Sequence, residues 1–112
     1  CLELLEHVPD PKRIIEAARV ILKPHGLLIC STLNRHPKAF LFGIIGAEYV
    51  LGIVPKGTHH YSQFIKPSEL NTMAVAEGFE IIDTRGLQFD PWRGLAKLSN
   101  DVSINYLMTF KR

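Results

Sequence analysis

The sequence predicts an α/β fold with a mostly parallel sheet and an antiparallel last strand. Three observations support this prediction: an apolar strand end at the start of the chain, a helical pattern followed by a continuous apolar run at residues 26–33, and an alternating run at residues 102–110. A continuous apolar run is typical of an inner parallel strand, whereas alternation is typical of a strand covered on one face. A strand end, a helix and an inner strand in this order form the second half of a βαβ unit.

The first helix is predicted over residues 11–23. Asp10 can cap its free N–H groups, and Pro11 suits the first helical position. Its apolar positions recur at helical spacing and include Ile14, Ala18 and Ile21. The helix is expected to end before residue 26, because Pro24 cannot continue it and Gly26 accepts left-handed geometry.

The later elements are predicted to be a second helix, a strand and a final strand. The helix pattern begins at Lys66 and ends at Gly78, and a strand pattern covers residues 79–85. Residues 87–100 lack clear periodicity and are predicted to be mostly loop. In the final strand, alternate side chains share one face, namely Val102, Ile104, Tyr106, Met108 and Phe110.

Length and composition indicate one small globular domain over residues 1–112. Hydrophobic residues make up 46% of the chain and charged residues 21%, which is ordinary for a globular protein. The net charge is +2 and the basic residues are dispersed, so nucleic-acid binding is not indicated. Cys1 and Cys30 lack metal-binding spacing and are predicted to be reduced thiols, as in an intracellular compartment. Because the chain begins with Cys on an apolar run, we expect it to be the C-terminal part of a longer protein.

The opening residues 1–11 are the most suggestive of chemistry. Glu3, Glu6 and His7 stand at i, i+3 and i+4, so a single helical turn would bring them to one side. Titratable groups held against apolar neighbours are where pKa values shift and catalysis becomes possible. In the alternative interpretation, the glutamates are solvated acids of a first helical turn and His7 is a packed surface residue.

Asn34 and Arg35 follow the carboxyl end of the predicted inner strand. Open α/β sheets bind ligands at that edge, which makes both residues candidate ligand contacts. A polar turn, with Asn34 near a helix cap, explains the same residues equally well.

The segment at residues 39–54 carries a single charge, Glu48. A membrane span needs about 20 apolar residues, and a carboxylate at the bilayer centre costs about 3 kcal/mol, so spanning is not expected. The segment is predicted to be a lid or interfacial helix that covers a hydrophobic substrate. Arg35, Lys38 and Lys56 could then meet lipid headgroups. A buried core helix is the alternative.

Four stretches carry a family resemblance: LELLEHVPDP at 2–11, STLNR at 31–35, the segment at 46–59 with GAEYV and VPKGTH, and DVSINY at 101–106. Together they resemble the ubiquinone-biosynthesis O-methyltransferase family, in its bacterial and mitochondrial members. The EHVPD part occurs widely among class I methyltransferases, whereas PKGTH after an apolar insertion is far more specific. The resemblance covers essentially the whole chain.

This resemblance implies the C-terminal half of a Rossmann-like, class I methyltransferase sheet and S-adenosylmethionine as the methyl donor. It also implies that the acceptor is a hydroxyl of a polyprenylated catechol or quinol. At the matching positions, Leu2 would contact S-adenosylmethionine. Glu3, Glu6 and His7 match residues assigned to a divalent metal such as magnesium (Mg2+). Glu6 and His7 are the candidate catalytic residues.

The resemblance also implies a membrane-associated enzyme. A lid insertion is expected at about residues 36–62, with Phe40 to Val54 in contact with membrane lipid. The expected location is peripheral, at the inner face of the cytoplasmic membrane, or at the matrix side of the inner membrane in mitochondria. Expected partners are the polyprenylated phenolic substrate and other quinone-biosynthesis proteins.

Two other functions fit these residues. One is a class I methyltransferase for another small or lipophilic acceptor, and the other is a non-catalytic, membrane-associated subunit of a quinone-synthesis complex. The glycine-rich turn and the ribose-binding acidic residue of the family have no match within residues 1–112 and are expected to precede Cys1. We therefore expect the 112-residue chain alone to bind S-adenosylmethionine weakly or not at all, and to be inactive.

Overall fold

A computed structural model describes residues 1–42, 52, 55, 60–90 and 92–112. Its elements, in chain order, are a 3-10 turn at Leu5–His7, helix α1 at Pro11–Ile21, strand β1 at Leu27–Leu33, a 3-10 turn at Tyr61–Gln63, helix α2 at Pro67–Ala76, and strands β2 at Glu80–Asp90, β3 at Leu95–Ser99 and β4 at Asn105–Lys111. Residues 37–42 are also helical. The predicted α/β fold is confirmed.

The four strands form one sheet in the order β1-β4-β2-β3, and each neighbouring pair is antiparallel. The prediction of a mostly parallel sheet is therefore wrong for the strands that the structure describes. The reason is that β4, the last strand, lies between β1 and β2. Since both are antiparallel to β4, they run in the same direction and their carboxyl ends lie at the same edge. A single parallel bridge between Leu2 and Ser31 places the start of the chain alongside β1.

Both helices pack against one face of the sheet. The side chains that are buried there come from the first 3-10 turn, α1, β1, α2, β4 and the segments before α2 and β2; they are Leu5, Ile15, Leu28, Cys30, Ile65, Leu70, Ala74, Phe79, Tyr106, Met108 and Phe110. The burial of alternate residues in β4 confirms the predicted pattern for Tyr106, Met108 and Phe110, whereas Val102 and Ile104 precede the strand. On the opposite face of the sheet, Leu27 and Ile29 are exposed.

Residues 87–100 are not mostly loop, as the sequence predicted. β2 continues to Asp90 and pairs with β3 in a hairpin whose side chains are largely exposed. Because these side chains are exposed on both faces, the sequence shows no alternation of apolar and polar residues. The strand is held instead by backbone pairing with β2. At the end of α1, the left-handed residue is His25, with a φ of 64°, rather than Gly26.

The predicted lid is covered only in part by the described residues. Phe40 and Tyr61 lie at its two ends, and their rings contact edge to face with centroids 5.5 Å apart. Tyr61 in turn contacts Phe64 in the same manner. Most of residues 43–59, including Glu48, lies outside the described residues. Among the described residues, no helix is both long and apolar enough to cross a membrane.

Candidate functional site

The opening residues pair with β1 through one parallel bridge, at Leu2, and then turn away from the sheet. Ser31 donates its N–H to the Cys1 carbonyl at 3.0 Å, and Glu3 donates its N–H to the Ser31 carbonyl at 3.0 Å. Glu3 has a φ of 49°, a left-handed geometry that costs a non-glycine residue about 1 kcal/mol. This geometry turns the chain out of the strand and into the 3-10 turn. Strained backbone of this kind is frequent at functional sites.

Two hydroxyl groups of β1 donate hydrogen bonds to the carboxylates of the two glutamates that the sequence predicts as site residues. Ser31 Oγ donates to Glu3 Oε1 at 2.8 Å, and Thr32 Oγ1 donates to Glu6 Oε2 at 2.7 Å. Consecutive residues of a strand point to opposite faces of the sheet, so Glu3 and Glu6 are held on opposite faces. The prediction that one helical turn brings them to the same side is therefore wrong.

Glu6 is the more unusual of the two carboxylates. It is only 2% exposed, and its Oε1 atom has no hydrogen-bond partner among the described residues. A buried polar atom without a partner costs about 1–3 kcal/mol, so it does not favour folding. Such an atom at the edge where open α/β sheets bind ligands is a candidate contact for a substrate.

The described residues do not assemble the predicted metal site. Within the part of the chain that the structure describes, no three His, Cys, Asp or Glu side chains are grouped to hold a metal ion. Glu3 and Glu6 lie on opposite faces of β1, and His7 is exposed whereas its neighbour Glu6 is buried. As placed, Glu3, Glu6 and His7 do not fit a magnesium ion.

Leu2 lies at the parallel bridge to β1 and is 62% exposed. Leu4, which is also exposed, extends this apolar surface. Apolar side chains beside the carboxyl end of a strand suit the flat ring or thioether part of a nucleoside-type ligand. The position of Leu2 thus fits the predicted contact with S-adenosylmethionine, which stays a prediction.

The residues that follow β1 have different roles. The buried Asn34 donates its side-chain N–H to the Val102 carbonyl at 2.8 Å and its backbone N–H to the Ile104 carbonyl at 2.9 Å. Asn34 therefore holds the loop before β4 against the end of β1. Arg35 instead forms an ion pair with Glu69 and donates to the Phe64 carbonyl at 3.3 Å.

The ion pair with Arg35 fixes the start of α2. Glu69 Oε2 also accepts the N–H of Lys66 at 2.9 Å. Burial acts to raise the pKa of Glu69, but this hydrogen bond and the Arg35 guanidinium outweigh it, so the pKa lies below its usual value of 4.5. A carboxylate with a lowered pKa stabilises the fold above its unfolded pKa, and this stabilisation is lost as the pH falls through the folded pKa.

Replacing Glu69 by Gln should lower the melting temperature at neutral pH, with a difference from wild type that shrinks once the pH falls below 4.5. Thermal unfolding of the full-length protein across that pH range measures the difference. Glu16→Gln on the exposed side of α1 is the control for the loss of one negative charge. A difference between wild type and Glu69→Gln that stays constant with pH would contradict the role of the charge.

Two other buried groups are unsuited to catalysis. Both cysteines are free, as predicted, and burial raises the pKa of the Cys30 thiol to about 11, so it stays protonated at neutral pH. The hydroxyl of Tyr106 donates to the Ile65 carbonyl at 2.8 Å, and burial raises its pKa as well. These groups hold the fold together around the site.

Sequence reasoning missed the partners of the carboxylates. Ser31 and Thr32 bind Glu3 and Glu6, and Glu69 binds Arg35, across long stretches of chain. The signal that could have found the first two is the pair of hydroxyl residues at the end of an otherwise apolar strand.

Comparison with known proteins gives a consistent family signal. The sequence model of a family described as a methyltransferase domain matches residues 1–84. The chain is 51% identical over 110 residues to the ubiquinone biosynthesis O-methyltransferase of Coxiella burnetii, which covers 98% of the chain and 47% of that protein. It is 49% identical over 112 residues to the protein of the same name in Pseudomonas aeruginosa, covering 100% of the chain and 48% of that protein. The chain thus spans about half the length of these curated relatives.

Solved structures share the fold. A SAM-dependent methyltransferase of Thermotoga maritima superimposes with a TM-score of 0.64 at 19% identity, over 98% of this chain and 53% of that one. A SAM-dependent methyltransferase of Methanosarcina mazei gives a TM-score of 0.60 at 17% identity, over 100% of this chain and 57% of that one. At these identities the likeness concerns the fold.

Proposed function

Since the chain belongs to the methyltransferase-domain family, we propose that it forms part of an S-adenosylmethionine-dependent O-methyltransferase of ubiquinone biosynthesis whose acceptor is a polyprenylated catechol or quinol. Relatives that are 51% and 49% identical to the chain are named ubiquinone biosynthesis O-methyltransferase, which supports methyl transfer to an oxygen as the reaction. The observation in this chain that carries the proposal is the buried Glu6 carboxylate, with one oxygen bonded to Thr32 and the other without a partner.

The chemistry assigns Glu6 to the acceptor hydroxyl. When bound, S-adenosylmethionine supplies a methyl group on a sulfonium, which is open to in-line displacement. A phenol has a pKa of about 10, so a base must remove its proton at neutral pH. Glu6 Oε1 would accept the hydroxyl proton, which would leave the phenol oxygen as the nucleophile for the methyl group. Thr32 keeps the other carboxylate oxygen fixed, which aligns the base with the hydroxyl.

Neighbouring residues complete the site. The exposed imidazole of His7 can relay the proton to solvent, since His is suited to proton transfer near neutral pH. Leu2 offers its exposed apolar side chain to the methyl donor.

Membrane contact is part of the proposal. The first residues of the lid, Phe40, Leu41 and Phe42, are 45–60% exposed, and exposed apolar side chains in a cluster favour an interfacial role. A peripheral position at the inner face of the membrane would give the enzyme access to an acceptor that is itself dissolved in lipid. Other quinone-biosynthesis proteins are the proposed protein partners.

The test is a methyl-transfer assay of the full-length protein with S-adenosylmethionine and a prenylated catechol. We expect formation of the monomethyl ether, with other phenols and amines methylated at much lower kcat/KM. Better turnover of an unrelated acceptor would favour a different class I methyltransferase. Liposome flotation without methyl transfer would favour a non-catalytic membrane subunit.

A further inference from the structure

A cavity of about 600 Å³ lies between the start of α1 and the start of α2. This volume is in the range of about 300–1,000 Å³ that is typical of small-molecule sites. Three of its lining side chains, Leu5, Phe64 and Ile65, are apolar and almost fully buried. The exposed lining residues are polar or charged apart from Pro9 and form the rim; among them are Lys12, Ser62, Gln63, Ser68 and Thr72.

The cavity lies on the same side of the sheet as Glu6, which does not itself line it. Leu5, in its floor, directly precedes Glu6 in the 3-10 turn. Glu6 is bonded to Thr32, whose side chain shares a face of β1 with the buried Cys30 and therefore points to the helix-covered side of the sheet. The cavity lies on that same side, between the two helices.

The charges in the cavity wall offset each other. Arg35 and Glu69 both line the cavity and form an ion pair with one another. The other charge in the lining is Lys12, which is exposed. A site for a phosphate or carboxylate would present an unpaired cation beside buried donors, whereas this lining presents buried hydrocarbon and a neutralised pair.

We propose that this cavity binds the apolar tail of the acceptor, so that an isoprenoid chain packs on Leu5, Phe64 and Ile65 while the ring lies at Glu6. This inference rests on the proposed function. The predicted lid insertion ends at about residue 62, which lines the cavity together with residues 63–65, so a chain leaving the cavity passes beside the end of that insertion. An apolar floor with a polar rim suits an amphipathic ligand, and the floor removes the first part of the tail from water.

The half-buried Met73 lines the cavity and offers a way to fill it. In the full-length enzyme, Met73→Trp should raise the KM for a farnesylated catechol by about 10-fold or more, because steric exclusion from an apolar pocket acts on the tail. The kcat/KM for the same catechol without a tail should change less than about 2-fold. Val75→Trp, at an exposed position of the same helix, should leave both acceptors unchanged.

A second measurement does not depend on the folding of a variant. A farnesylated catechol with a photoreactive diazirine on its first isoprene unit should label peptides that contain residues 5–11 and 61–73 of the wild-type enzyme, and unlabelled farnesylated catechol should compete. Labelling confined to other peptides would overturn the inference. So would an equal loss for tailed and tailless catechols in Met73→Trp, or a rise in the KM for S-adenosylmethionine alone.

The two levels of the proposal fail in different ways. A wild-type enzyme that methylates neither catechol contradicts the proposed function and the tail site together. If the wild-type enzyme methylates both catechols and Met73→Trp changes kcat/KM equally for the two, only the tail site is contradicted.

Discussion

Replacing Glu6 by Gln in the full-length protein should reduce kcat for methyl transfer by about 100-fold or more. Gln has nearly the same shape and still accepts the hydrogen bond from Thr32, but it cannot take a proton from the acceptor hydroxyl. Because Glu6 Oε1 has no hydrogen-bond partner among the described residues, replacing the carboxylate by an amide breaks no hydrogen bond at that atom. The free energy of unfolding should therefore stay within about 1 kcal/mol of wild type, as measured by urea denaturation.

Glu3→Gln is the matched control for this prediction. Glu3 is bonded to Ser31 on the opposite face of β1 from Glu6, so its replacement should reduce kcat by less than about 10-fold. An equal, large loss in both variants that excess magnesium partly restores would contradict the separate roles assigned here. That outcome would support a shared metal site.

Replacing Gly86 by Ala should destabilise the protein by about 3 kcal/mol, the upper end of the usual cost of overpacking. Gly86 is buried and pairs with both Ser99 of β3 and Tyr106 of β4. A Cβ atom at this position would lie 1.7 Å from the carbonyl oxygen of Asp101, an impossible approach to backbone that cannot move without breaking the loop before β4. Urea denaturation of the full-length protein measures the loss.

Gly94→Ala is the control for this second prediction. Gly94 has a φ of 63° and an added Cβ would meet no atom within 4 Å, so only the left-handed geometry opposes the substitution. That cost is about 1 kcal/mol. If Gly86→Ala were no more destabilising than Gly94→Ala, the close contact with Asp101 would be contradicted.

Much of the fold could be predicted from local sequence. The helix predicted at 11–23 is found at Pro11–Ile21, because proline at its first position and the cap by Asp10 are local signals. The predicted apolar stripe is wrong at Ile21, which is 81% exposed, and the fully buried residue of the helix is Ile15. The alternation in β4 is also a local signal, and its alternate residues point into the core. The motifs of the opening turn and of the segment that follows β1 were enough to suggest a methyltransferase, and the match to the methyltransferase-domain family confirms that much.

The candidate site was predicted only in part. The sequence singled out Glu6, whose burial and unpartnered oxygen make it the strongest candidate, and it singled out Arg35 without its partner Glu69. It wrongly grouped Glu3 with Glu6, since spacing along a presumed helix says nothing about which hydroxyl of a distant strand each carboxylate will meet. The described residues do not assemble the predicted magnesium site, and the membrane contact remains a prediction.

The sequence by itself determined the approximate positions of both helices and of β1, β2 and β4, and to which family the chain is similar, since these depend on residues a few positions apart. Only the tertiary structure decided that β4 enters between β1 and β2, and that the weakly patterned residues 87–99 pair as a hairpin. It also decided that Glu3 and Glu6 lie on opposite faces of one strand, and that Leu5, the residue before Glu6, lines a cavity. Strand order and side-chain partners depend on contacts between residues far apart in the chain, and no local pattern encodes them.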